Sequence, residues 1–308
     1  MSIVSWSMKR GLWVAALWLC GSAANAHAQA VVDDKGSLTL GLDYQYGSAT
    51  GVVISSSEPI SKAPTTNHSV MLRADYTPIE RLGLDIAVPF MAITYNTPGF
   101  THTPVAGEWD DGARHYSFQD AELGARYAVV DNVLKITPRI ALTVPLGGYA
   151  TNGFAAIGRH LFQGHIGASV QRTLDPILPN LFIEASYTFT ISQKYDATPD
   201  TAEINQNRSD LAGMIGYYFL DGRLILDAAA NYRAHIDGVD FSNFGAFTKD
   251  QQDYHDALLK ESFFYLGGDV TYRVTDDMYI GVIARFFMSG RNTRDQNIYG
   301  LSIGYDLL

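Results

Sequence analysis

Hydrophobic and polar side chains alternate with a period of two along most of this chain. Between Ser37 and Tyr46, Leu38, Leu40, Leu42, Tyr44 and Tyr46 take one parity, and Ser37, Thr39, Gly41, Asp43 and Gln45 take the other. Successive side chains of a strand point to opposite faces, so this rhythm predicts a sheet with one oily and one wet side. The pattern recurs from Ser69 to Tyr76, Leu82 to Phe90, Gln119 to Val129, Leu134 to Val144, Phe162 to Gln171 and Leu181 to Ile191. It continues from Leu211 to Phe219, Leu224 to Tyr232, Phe264 to Tyr272, Ile280 to Phe286 and Tyr299 to Leu307. A strand of about ten residues, tilted, crosses a bilayer. Lipid offers no partner for unpaired backbone groups, so such strands must close on themselves. The predicted fold is all-β: a transmembrane antiparallel up-and-down β-barrel of about 12 strands, occupying residues 31–308.

Connector lengths and charges test this independently. Short links (78–81, 130–133, 175–180, 220–223, 275–278) alternate with long ones (47–67, 96–116, 146–160, 192–208, 235–260, 289–296). Short periplasmic turns and long outer loops mark bacterial barrels, and an even strand count puts both termini in the periplasm. Arg73, Arg126, Arg139, Arg233, Arg273 and Arg285 all take the parity opposite to the apolar set. That is required where an arginine on the lipid side costs roughly 2–4 kcal/mol. Arg172 breaks the rule at a strand end, where it can snorkel. Tyr46, Tyr187 and Tyr232 close upward strands and Tyr76, Tyr127, Tyr217 and Tyr272 close downward ones, as interface belts require. Prolines are the local objection, because a closed wall spares no amide. Pro89 and Pro145 fall near strand ends; Pro138 sits mid-segment and is expected to kink or break its strand, leaving ten or fourteen strands as alternatives.

The N-terminus reads as a secretory leader, residues 1–26. Lys9 and Arg10 precede an apolar core from Gly11 to Cys20, and Ala24-Asn25-Ala26 is a cleavage site, with alternatives ending at Ala28 and Ala30. Trp18 and Leu19 stand where a lipobox needs small residues. Cys20 is the only cysteine and leaves with the leader, which excludes disulfide and thiolate chemistry from the mature chain. Losing Lys9 and Arg10 takes the net charge from −10 to −12, which argues against nucleic-acid partners.

The inward parity carries Arg73, Asp85, Asp120, Glu122, Arg126, Arg139, Glu184, Asp227, Arg233, Asp269 and Arg285, the candidate lumen-lining residues, with Asp43, Asp75, Asp210, Lys135 and His165. Eight strands leave an interior that side chains fill, and sixteen to eighteen leave a channel; twelve implies a narrow pore or one blocked by ion pairs. Charges paired across the lumen are the commoner arrangement; a selectivity ladder for solutes is the functional alternative. Inward glycines such as Gly124, Gly267 and Gly304 read as packing devices.

Catalytic constellations are thin. A lipolytic barrel needs a serine and a histidine near the lipid face, and no histidine falls in the outward sets. His165 and Ser169 are four residues apart on one strand, about 13 Å by strand rise. His102 and His115 share an outer loop without a ligand spacing, and Asp250, Asp253 and Asp256 match no EF-hand, so no metal is expected. No P-loop or dinucleotide fingerprint is present, so no cofactor is expected.

Three segments carry a family resemblance. Gly83-Leu84-Asp85-Ile86-Ala87-Val88-Pro89-Phe90, the run from Phe118 to Tyr127 (FQDAELGARY), and that from Ala141 to Gly148 (ALTVPLGG) resemble successive strands of the MetA-pathway of phenol degradation family. Gln119 stands where a glycine is usual, Leu146 where a threonine is usual, and the chain ends in Leu308 rather than phenylalanine. The resemblance implies an outer-membrane barrel associated with aromatic catabolism and brings no catalytic residues. The expected function is an outer-membrane channel passing small hydrophobic or aromatic solutes by passive diffusion. The expected partners are outer-membrane lipid and lipopolysaccharide, the solute, and the barrel-assembly machinery. A lipid-modifying or lipolytic barrel enzyme, and a structural or adhesive barrel with partner-binding outer loops, are the alternatives.

Overall fold

The computed structural model describes residues 30–54, 61–95, 111–149, 151, 155–195, 204–240 and 254–308, without the side chains of 61–63, 255 and 256. The leader and its cleavage sites up to residue 29 lie outside this set, as do His102, Asp250 and Asp253. The strands, in chain order, are β1 (Leu38–Val53), β2 (Ser61–Ile79), β3 (Leu82–Tyr95), β4 (Arg114–Phe118), β5 (Ala121–Tyr127), β6 (Val130–Asp131), β7 (Leu134–Val144) and β8 (Gln163–Thr173). They continue as β9 (Leu181–Ser192), β10 (Arg208–Phe219), β11 (Leu224–His235), β12 (Ser262–Arg273), β13 (Met278–Arg291), β14 (Thr293–Arg294) and β15 (Asn297–Asp306). Neighbours in sequence are neighbours in space, all antiparallel. β1 pairs with β2 on one side and with β14 and β15 on the other, which closes the wall. β4, β5 and β6 are pieces of one stave, and β14 continues the line of β15, so the barrel has twelve staves.

The parity argument holds around the whole circumference. Leu40, Leu42, Leu72, Ile86, Leu123, Ile140, Ile166, Ile183, Leu211, Leu226, Val282 and Leu301 are exposed on the outside. Arg126, Arg139, Arg233 and Arg285 are buried inside. Arg172 is exposed at the end of β8, as its parity demands. Most strands run beyond the predicted bounds at the loop end, where the alternation fades: β1 and β2 extend through small and polar residues, and β3 and β12 through unbroken apolar runs. Phe263, Phe264, Tyr265 and Leu266 form one such run, of which Phe263 and Tyr265 are inside and nearly inaccessible.

Pro138 corrects an expectation: β7 runs unbroken through it, opposite Ala168 of β8. The break falls on the neighbouring stave instead. β5 stops at Tyr127 and β6 starts at Val130, and the ladder to β7 skips from Arg139 to Ile136 across this gap. Pro89 has the same effect on its neighbour. It sits in β3 opposite the gap between β4 and β5, where Gln119 N–H donates to its carbonyl at 2.9 Å. A residue without an N–H is tolerated where the adjacent ladder is already interrupted.

Two segments turn into the lumen. Residues 30–37 enter from the short-turn end: Ala30 is 1% exposed, and its carbonyl accepts from Thr137 Oγ1 at 2.7 Å. A cavity of about 480 Å³ remains at that mouth, bordered by Asp33, Asp34, Lys35, Arg273, Asp276 and Asp306. At the loop end, Ala155, Ala156, Ile157 and Leu161, between β7 and β8, are buried. Leu307 and Leu308 lie past the end of β15, both exposed, so Leu308 does not keep the inward parity.

Candidate functional site

The site is the lumen wall. On its short-turn side the charges form a relay across five strands. Arg126 donates to Asp75 at 2.6 Å and to Asp85 at 3.3 Å. Arg139 donates to Asp85 and to Glu122, each at 2.6 Å. His165 lies 3.6 Å from Glu122 and is hydrogen-bonded to Thr143 at 2.7 Å and Thr190 at 2.9 Å. Arg73 grips Asp43 at 2.5 and 3.0 Å, and Arg285 holds Asp269 bidentately at 2.5 and 2.8 Å. Gly124 makes the relay possible, because a β-carbon there would collide with both Asp85 and Arg139.

Register explains this pairing. Asp75 faces Asp85 across β2–β3, and Arg126 faces Arg139 across β5–β7. Like charges directly opposite repel. Each arginine therefore reaches sideways to a carboxylate on another strand, and the alternating sign holds the wall together. Asp227 faces Asp269 across β11–β12, and Asp269 is neutralised by Arg285; Asp227 Oδ1 is left without a hydrogen-bond partner. Glu184 accepts from the backbone of Ala30, which ties it to the inserted N-terminal segment. Asp120 stands apart, in the gap between β4 and β5, where it accepts from the Tyr149 hydroxyl.

The loop-side half is different. Val52, Met91, Ile93, Tyr95, Tyr149, Ala155 and Ile157 form one apolar cluster inside the wall. Phe263, Tyr265 and Ile298, with Phe287, form another; their rings meet edge-on at 5.3 and 5.7 Å. Between them on the β10–β11 side, Arg233 donates to Asp210 at 2.5 Å and lies over the Phe263 ring, 5.4 Å from its centre. Arg208 donates to Gln163 at 2.7 Å, and Arg159 donates to Glu261 at 2.8 Å.

Ten of the eleven proposed lining positions sit on strands at the parity opposite to the exposed apolar residues, and Asp120 lies in the gap between β4 and β5. Alternation missed Arg208, Arg159, Glu261, Met91, Ile93 and Ile298, which lie in segments assigned to loops or in unbroken apolar runs. His165 and Ser169 do not meet. His115 lies in β4 rather than a loop and is hydrogen-bonded to Asp111 at 2.7 Å; that bond holds the Asp111 carboxyl below its ordinary range. His68 corrects the expectation that no histidine faces outward. It has the parity of Val70 and Leu72, and it shares a hydrogen bond of 2.8 Å with the Tyr44 hydroxyl beside the Tyr46 ring. Its strand starts eight residues earlier than alternation suggested.

A closed antiparallel wall, apolar outside and ion-paired inside, defines a transmembrane β-barrel of the bacterial outer membrane. Solved structures share the fold. The crystal structure of an outer membrane channel from Pseudomonas putida F1 matches with a TM-score of 0.71 at 13% sequence identity, over 91% of this chain and 98% of that one. The β domain of the Bordetella autotransporter BrkA matches with a TM-score of 0.50 at 11% identity, over 89% and 99%. No family model and no curated protein matches the chain.

Proposed function

We propose that the protein is an outer-membrane channel through which small hydrophobic or aromatic solutes diffuse, allied to the MetA-pathway of phenol degradation family that its three motif segments resemble. The observation that carries this is the two-zoned lumen. Ion pairs line the short-turn half, while two clusters rich in aromatic and aliphatic side chains line the loop-side half, where a solute enters from outside. An apolar solute gains by leaving water for such a surface. A structural barrel needs no apolar interior. In the described conformation Ala30 from one end and Ala155, Ala156, Ile157 and Leu161 from the other are buried inside the wall, beside a cavity of about 480 Å³ at the short-turn mouth, and a solute passes both segments. Lipid and lipopolysaccharide cover the exposed apolar belt, and the barrel-assembly machinery delivers the chain.

The test is liposome swelling with the purified protein. Proteoliposomes placed in isosmotic solutions of a phenolic solute swell, and protein-free liposomes do not respond beyond their own lipid permeability. Equal rates with and without protein, for every solute tried, overturn the channel.

A further inference from the structure

Ala30 lies inside the wall, where it bridges β7 and β9. Its carbonyl accepts from Thr137 Oγ1 on β7 at 2.7 Å, and its N–H donates to Glu184 on β9. Between these strands, on β8 opposite Thr137, Ser169 is wholly buried, and its hydroxyl has no hydrogen-bond partner among the described residues. Two strands beyond Glu184, Asp227 on β11 also takes the inward parity. Its Oδ1 is inaccessible and without a hydrogen-bond partner among the described residues.

Glu184 and Asp227 differ from the other inward carboxylates. Asp43, Asp75, Asp85, Glu122, Asp210 and Asp269 each accept from an arginine. Among the described residues Glu184 accepts from the Ala30 N–H and Asp227 from the Asp269 N–H, and neither forms an ion pair. The two lie near enough to repel each other. Carboxylates held together out of bulk water call for a cation.

The sequence supplies one at this point. Hydrolysis of the leader bond after Ala28 or Ala26 leaves an α-ammonium one or three residues before Ala30. Strands are spaced about 4.8 Å and Cα atoms about 3.8 Å, so an end this close to Ala30 reaches the space between Glu184 and Asp227. An α-ammonium is charged at neutral pH and offers several donors at once. The peptide nitrogen of the uncut chain is neutral and offers one. A cut after Ala30 would remove the residue that makes both bonds.

We propose that leader removal turns the N-terminus of the chain into a ligand of its own lumen: the α-ammonium pairs with Glu184 and Asp227 and latches residues 30–37 against the inner wall. A free chain end frays unless it is tied down, and this pair ties it at its tip. The inference is independent of the channel reading, because it concerns what holds the inserted segment and not what passes it.

The latch is read on the purified mature protein. Intact mass identifies the first residue. Acetylation by sulfo-N-hydroxysuccinimidyl acetate, followed by peptide mapping, compares the α-amine with Lys260, which is exposed. An ion-paired ammonium has no lone pair free to be acylated. The expected first residue is His27 or Gln29, and its α-amine reacts several-fold more slowly in the folded barrel than in urea, while Lys260 reacts alike in both. Glu184→Gln combined with Asp227→Asn is expected to speed acetylation of the folded α-amine several-fold, with the Lys260 rate and the gel shift on boiling unchanged. A chain that starts at Val31, a blocked terminus, or an α-amine that reacts equally fast folded and unfolded overturns the latch. Protection that survives the double substitution also overturns it, since burial alone then shields the end. If the double variant loses its gel shift, Asp227→Asn by itself serves, because it leaves the pair of Arg285 with Asp269 intact. Faster acetylation supports the latch there, and an unchanged rate overturns it.

Discussion

Arg139 and Ile140 are consecutive residues that face opposite solvents. Arg139 is 8% exposed within the lumen, and Ile140 is 62% exposed on the outside. Each position is decided by a transfer energy. Ile140→Arg would place a guanidinium in hydrocarbon and is expected to destabilise the barrel by about 2–4 kcal/mol. Arg139→Gln is expected to cost about 3–5 kcal/mol for a different reason: it leaves the Asp85 and Glu122 carboxylates buried without the cation that both accept from. Urea unfolding of the reconstituted protein, followed by the loss of the fast-migrating unboiled band, reads both.

At the scale of elements, prolines and an inserted segment set the behaviour. Pro89 and Pro138 each sit opposite an interruption of the neighbouring stave, and β7 ends at Val144, just before Pro145. Pro145→Val supplies an N–H and a strand-favouring side chain. It is expected to extend β7 and to raise the unfolding midpoint in urea, read from the loss of the fast-migrating unboiled band. The N-terminal segment is expected to respond to pH. Burial raises the Asp33 carboxyl to about 8, with Asp75 adding to the effect, Arg126 opposing it, and Asp306 and Asp34 contributing further repulsion. Undocked, the same group titrates near 3.8. A raised carboxyl pKa means that docking retains a proton the free segment would lose. Docking is therefore strongest below 3.8, weakens as pH rises towards about 8, and is constant above it. Proteolysis within residues 30–37 should be faster at pH 8 than at pH 5, and Asp33→Asn should flatten the difference.

For the whole molecule, closure is what matters. β1 pairs with β2 on one side and with β14 and β15 on the other, so the ring is closed and unfolding must break it rather than fray an edge. The folded protein is expected to resist cold detergent and to migrate faster before boiling than after. Net negative charge does not make the lumen a simple cation path. Its arginines are matched to carboxylates strand by strand, and the surface left for a solute at the loop end is aromatic and aliphatic.

Alternation alone was enough to place ten-residue strands, their inward arginines and the closed barrel, because water on one side of a wall and lipid on the other impose a period of two on any sequence that survives there. It failed where that contrast vanishes. In the loop-side ends of β3 and β12 both faces are apolar, so Met91, Ile93, Phe263 and Tyr265 carried no sign of facing inward. Asp75, Arg126, Asp85, Arg139 and Glu122 could each be assigned to the lumen from parity, but not to one another, since partners on different strands are matched by the stagger of the barrel and no local spacing encodes it. The turning of residues 30–37 and 155–161 into the lumen was likewise decided only in three dimensions, where the Ala30 carbonyl meets Thr137 and the Ile157 carbonyl meets Gln119, partners far away in the chain.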